Sequence, residues 1–88
     1  MIKHSAIKFY LRGEDRPIIM TGLRHPEILE KMFSMQLNYD KERMVQGFLN
    51  HEDKFLDRRT AKFEARRCNQ LIEDTEYGEL FSEDIWAE

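Results

Sequence analysis

The stretch "IKHSAIKFYLRGEDRPIIMTG", Ile2 to Gly22, decides the fold. Its first part, Ile2–Leu11, is β-branched and aromatic in a loose alternation and reads as a strand. "RGEDRP", Arg12–Pro17, has the Gly/Asp/Pro content of a turn. Ile18–Gly22 is a short apolar run ending in glycine, the return strand. The first element is therefore a β-hairpin.

A helix follows. Pro26 suits a first helical position, where its missing N–H costs nothing. Glu27 lies in the first turn, where the helix dipole favours an acid. Ile28, Leu29, Met32, Phe33 and Gln36/Leu37 recur at helical spacing as one broad apolar stripe, so the helix runs to about Gln36. Asn38-Tyr39-Asp40 is a loop signal. Arg43–Asn50 reads as a strand region, His51–Lys54 as a polar turn and Phe55–Leu56 as a brief partner strand, giving a second hairpin. Asp57 is a good N-cap for a second helix from Arg58 to about Ile72. On it Ala61, Ala65, Cys68 and Leu71/Ile72 make a narrow face of small apolar residues. The acidic remainder is expected as an extended tail anchored by Leu80, Phe81, Ile85 and Trp86. The expected fold is α/β of the α+β kind: one domain over residues 1–88, with short antiparallel hairpins packed against two helices.

Composition narrows the function. Eighty-eight residues bury a little over 60% of the unfolded surface, a thin core that oligomerisation would enlarge. Net charge is −3, unevenly spread: residues 1–44 carry eight Lys/Arg and six Asp/Glu, residues 45–88 six and eleven. A nucleic-acid binder needs a basic surface to displace counterions from phosphates, and this chain lacks one. No run approaches the ~20 apolar residues that span a bilayer, and no signal-peptide pattern follows Met1. A lone cysteine, Cys68, agrees with a reducing compartment. The expectation is a cytoplasmic protein that binds neither nucleic acid nor membrane.

No catalytic set stands out. There is no Gly-rich phosphate loop and no nucleophile elbow. His4, His25, His51 and Cys68 have no zinc-site spacing, and a buried, inert thiol is expected at Cys68. We expect no catalytic residues, no metal and no cofactor. The best local site is "TGLRHPEIL", Thr21–Leu29. A helix N-terminus leaves backbone N–H groups unpaired and favours anions, and no Ser, Thr or Asp stands directly before Pro26 to cap them. Gly22 permits close backbone approach, Arg24 offers a planar fork, and His25 can donate from its ring. The bland reading has Arg24 and His25 pair with the acidic tail or cap the helix through another loop. A second oddity is Phe63. At 100° per residue it lies opposite Ala61/Ala65, beside Arg59, Arg66, Arg67 and Gln70. It is either part of a subunit interface or a second core layer, or a platform for a nucleobase with arginines on its phosphates.

Four segments occur in order: "TGLRHPEI" (Thr21–Ile28), "QGFLNHEDKFLDRRTA" (Gln46–Ala61), "NQL" (Asn69–Leu71) and "LFSEDIW" (Leu80–Trp86). Together they resemble the phage Thoeris anti-defence sponge family. There, Gly-x-Arg-His, Gln-Gly-Phe…Phe-hydrophobic-Asp/Asn-Arg and Leu-Tyr/Phe-Ser-Glu-Asp-Leu-Trp/Tyr elements recur. The resemblance implies a compact α/β protein that assembles as a homodimer or larger homo-oligomer in the host cytoplasm. It implies binding of a cyclic nucleotide immune signal, of cyclic ADP-ribose type or a cyclic oligonucleotide as in CBASS, which is sequestered without cleavage. Carried onto matching positions, the ligand-binding residues are Arg24 and His25, then Gln46, Gly47, Phe48, Asp57 and Arg58, then Ser82, Glu83 and Asp84. Arg24 and His25 would hold phosphate, Phe48 or Phe63 would face a base, and Arg58 would add charge. The chain departs from the pattern in being short, in a trimmed region before Gln46, and in the arginines of "RRTAKFEARRCNQ", where the family helix is Ala-Ala-rich. A sponge needs affinity rather than a nucleophile, which agrees with the missing catalytic set. The alternatives are a small inhibitor that binds a host protein through its acidic C-terminal segment, a nucleotide hydrolase, and a structural phage accessory domain.

Overall fold

A computed structural model describes residues 1–74, 76 and 78–86. Thr75, Tyr77, Ala87 and Glu88 of the expected tail lie outside the described residues. Four strands, β1 (Ile2–Phe9), β2 (Ile18–Gly22), β3 (Val45–Asn50) and β4 (Phe55–Asp57), form one antiparallel sheet in the order β2-β1-β3-β4. Two helices, α1 (His25–Ser34) and α2 (Arg58–Arg67), complete the α+β fold, with short 3-10 turns at Lys41–Arg43 and Ser82–Asp84. Both expected hairpins form. The new contact is β1 against β3, with Ser5 opposite Phe48 and Ile7 opposite Gln46, which fuses them.

Directly paired residues share a face of a sheet. Ser5, Ile7 and Phe9 pair with Gly22, Met20 and Ile18 on one side, and Ser5 with Phe48 on the other. Phe48 in turn pairs with Leu56. All point to the face that the helices cover. Ile2 is three residues from Ser5 and would point the other way in a regular strand; a register shift between Ile2 and His4 turns it inward. Two core clusters result. Ile28 and Met32 of α1 pack on Ile7 and Phe9, and Ala61 and Ala65 of α2 pack with Ile2, Phe48, Leu56, Leu80 and Ile85. The alanines let α2 sit close to the sheet, and Leu80 and Ile85 close the second cluster, with Trp86 packed beside it. No helix among the described residues is long and apolar enough to cross a membrane.

Both helices stop before their expected ends, for one reason. Gln36 (φ 54°) and Asn69 (φ 57°) take left-handed conformations just past each helix. The amides of Asn69 and Gln70 then bond back to the carbonyls of Arg66 and Ala65, and those of Gln36 and Leu37 to Phe33 and Met32. This is the Schellman closure, which is mostly built on glycine. Cys68 becomes the half-buried C-cap of α2 rather than part of its inner face. Gln70, expected on the outward side, turns in. Its Oε1 accepts from the Ile2 amide and its Nε2 donates to the Ile2 carbonyl, both at 2.8 Å. The side-chain amide thus continues the ladder where β1 is irregular. Gln70→Ala is expected to cost about 1–3 kcal/mol, two partly buried hydrogen bonds, read as a lower urea midpoint at unchanged m-value.

Candidate functional site

The helix-covered face has a seam where the two core clusters meet. Four elements converge there: the start of α1, the start of β3, the start of α2 and the Ser82–Asp84 turn. A cleft of about 180 Å³ is lined by His25, Pro26, Gln46, Arg58, Ser82 and Glu83, with Leu29 and Phe81 at its sides. A second cleft of about 380 Å³ shares Gln46 and Arg58 and extends over Asp57, Arg59 and Glu79. Together they exceed the ~300 Å³ at which small-ligand sites begin.

Arg58 stands between the two clefts. Asp57 caps α2 by accepting from the Thr60 amide at 2.8 Å, which holds its carboxyl below the usual range and sets Arg58 at the first helical position. From there the guanidinium lies 4.9 Å from the centre of the Phe81 ring, a cation–π contact. Its terminal nitrogen donates to Gln46 Oε1 at 3.0 Å. Its Nε is buried and has no hydrogen-bond partner among the described residues. A buried donor without an acceptor costs about 1–3 kcal/mol, so an acceptor brought by a ligand would be rewarded. Glu83 supplies a carboxylate to the same cleft. The site therefore presents a cation and an anion side by side and suits a ligand with both acceptors and donors.

His25 sits beneath the cleft. It is buried, its Nε2 lies 2.7 Å from the Gly47 carbonyl, and its ring meets Phe48 edge-on at 5.1 Å. Burial, reinforced by the Arg58 charge, holds its pKa below 6.5 despite the Gly47 carbonyl, which works the other way. The imidazole is thus neutral at pH 7, with Nε2–H donating to Gly47. In this state the ring pins α1 to β3 while lining the cleft floor. The expected base contact at Phe48 is corrected: it is fully buried between His25 and Trp86, so it presents no face to a base.

The other expected residues divide. Arg24 donates to the Trp86 carbonyl at 3.2 Å and ties the C-terminal segment to α1, the bland reading of that residue. Gly22 gives its close approach to the Ile28 side chain: a Cβ there would stand 3.0 Å from Ile28 Cγ1. Gly47 lies beside β4, opposite Asp57. Asp84 accepts from the Phe81 amide at 2.9 Å and shapes the turn that presents Ser82 and Glu83. No side chain caps α1. The fold brings His25, Gln46, Arg58, Ser82 and Glu83 to one cleft and leaves Arg24, Gly47, Phe48, Asp57 and Asp84 as its supports. Phe81, read from sequence as an anchor, is instead the half-exposed aromatic at the site; its place directly before "SED" was the signal. Phe63 is 70% exposed and so is no second core layer. Its neighbours Arg66 and Arg67 are engaged with Asp74 and Glu64. Among the described residues no three His, Cys, Asp or Glu side chains group as a metal site.

Acid should weaken the fold in two stages. His25 is held neutral, so the unfolded chain binds the extra proton and stability falls as pH drops below 6.5. Glu64 accepts from the Met1 ammonium and from Arg67, both at 2.6 Å, which pulls its pKa from 4.5 to about 2. Its contribution is complete above 4.5 and disappears as pH falls toward 2. Thermal melts from pH 7.5 downward should show both stages, and Glu64→Gln should flatten only the lower one.

No curated protein and no solved structure matches the chain. A family model described as "Phage T4 y16D protein" matches residues 1–86. This agrees with the phage origin implied by the resemblance above. Since the match takes in nearly the whole chain, the protein is a phage protein and belongs to the phage T4 y16D protein family.

Proposed function

We propose that this phage protein binds a cyclic nucleotide second messenger, of cyclic ADP-ribose type or a cyclic oligonucleotide, and holds it without cleaving it. The observation that carries the reading is Arg58: a cation stacked on Phe81, shared by two clefts, with a buried Nε that has no partner among the described residues. Phosphate oxygens would supply the missing acceptor and Arg58 the charge. Phe81 offers an aromatic surface for a base or ribose. Gln46 and Glu83 can accept the N–H groups of a base, which a bare anion lacks. His25 is engaged with the Gly47 carbonyl, which supports a role in holding the fold rather than in proton transfer.

The reading is tested by mixing the protein with cyclic ADP-ribose isomers and cyclic dinucleotides, removing free ligand, heat-denaturing and analysing what is released. Intact ligand in stoichiometric amount supports sequestration. Cleaved product would make the protein a hydrolase, and retention of none of these would overturn the proposal. The acidic-tail inhibitor reading is less favoured. Leu80, Ser82 and Ile85 of that segment are buried and Asp74 is paired with Arg66, so the segment is anchored to the fold at these points.

A further inference from the structure

The clefts around Arg58 hold more acid than base. Two arginines, Arg58 and Arg59, line them together with three carboxylates, Asp57, Glu79 and Glu83. Asp57 is engaged in capping α2. Glu79 and Glu83 are exposed, and neither side chain has a hydrogen bond or ion pair among the described residues. They bracket the aromatic. Glu83 lines the smaller cleft with Arg58 and Phe81, and Glu79 lines a shallow one of about 260 Å³ with Arg59 and Phe81. A site built only to attract phosphate gains nothing from unpaired carboxylates beside its arginines, because they repel the same ligand.

We propose that Glu79 and Glu83 limit the charge a ligand can carry, admitting cyclised nucleotides and repelling linear ones that end in a phosphomonoester or polyphosphate. This rests on the cyclic-nucleotide reading above and adds the residues that make it selective. Linear nucleotides are abundant in any cell and offer Phe81 and Arg58 the same bases, riboses and phosphates, so those two residues cannot separate the classes. Charge can. A phosphate closed into a ring as a diester carries one negative charge, whereas a terminal phosphomonoester carries about −1.5 to −2 at pH 7. Arg58 and Arg59 can balance the phosphates of a cyclic ligand, while the N–H groups of its base can meet a carboxylate. Every further negative charge is held in a cleft with Glu79 or Glu83 on its wall. Selectivity of this kind comes from what a site rejects, and like-charge juxtaposition is an efficient way to reject.

The test is calorimetric titration of the full chain with cyclic di-AMP, cyclic di-GMP, cyclic ADP-ribose and ATP, without magnesium, which would mask the charge of ATP. The wild type is compared with Glu79→Gln, Glu83→Gln and the double variant. Both side chains are exposed, so the circular dichroism spectrum should not change. The wild type should bind at least one cyclic ligand far more tightly than ATP. ATP affinity should rise about threefold in each single variant and about tenfold in the double variant, so that the preference for the cyclic ligand shrinks. High salt should narrow the preference of the wild type more than that of the double variant, because screening acts on a repulsion the variant has already lost. ATP affinity unchanged in the double variant would overturn the proposal and leave the proposed function intact. ATP bound by the wild type as tightly as every cyclic ligand would overturn it too. Binding of no cyclic ligand by the wild type is the separate failure of the proposed function, and the charge limit would fall with it.

Discussion

Gly47→Ala should lower stability by about 3 kcal/mol and the melting temperature by roughly 15 °C, because β3 and β4 leave no room for a Cβ. A methyl group built there would stand 2.2 Å from the Leu56 carbonyl oxygen, 3.1 Å from its carbon and 2.7 Å from Phe55 Cζ. The Phe55 ring can swing aside. The Leu56 carbonyl cannot, since it belongs to the backbone of a three-residue strand paired with β3. Overpacking of this kind costs about 1–3 kcal/mol where side chains can adjust, so a backbone clash belongs at the upper end. The strain would also reach the candidate site, because β4 runs directly into the Asp57 cap and Arg58. Urea unfolding with hydrogen exchange of the β4 amides checks this. A melting temperature within a degree or two of wild type would refute the packing argument.

On the proposed function, Arg58→Ala should reduce cyclic nucleotide binding about 100-fold, the loss of a charged hydrogen-bonding partner worth up to about 3 kcal/mol. Stability should change by no more than about 1 kcal/mol. The variant loses the bond to Gln46 and the stack on Phe81, but it also removes the Nε that has no partner, and the two effects oppose each other. Arg58→Lys should fall between, about tenfold down, since it keeps the charge and loses the planar fork. Calorimetric titration paired with thermal melts separates binding from folding. Wild-type affinity in Arg58→Ala would remove the basis of the proposed function.

The readable parts of this fold depend on residues a few positions apart. Turn chemistry at "RGEDRP" and "HEDK", the Asp57 cap and Pro26 in the first turn each act through local backbone geometry, so both hairpins and both helix starts were legible. The helix ends were not, because Gln36 and Asn69 adopt φ values that usually call for glycine. Phe48 shows the limit of motif reading. Its position in a recognisable segment suggested a ligand contact, but the pairing of β3 with β1 turns it into the core.

Periodicity and capping by themselves determined the element types, the antiparallel hairpins and where α2 begins. Only the tertiary structure decided how they are joined: β1 pairs with β3 across some forty residues of chain, and the C-terminal turn returns to Arg58. Those contacts depend on which surfaces can be buried together, a property of the whole chain. For the same reason only the fold could separate Arg58, His25 and Phe48, three neighbours at one seam, into a charged cleft residue, a neutral pin and a core ring.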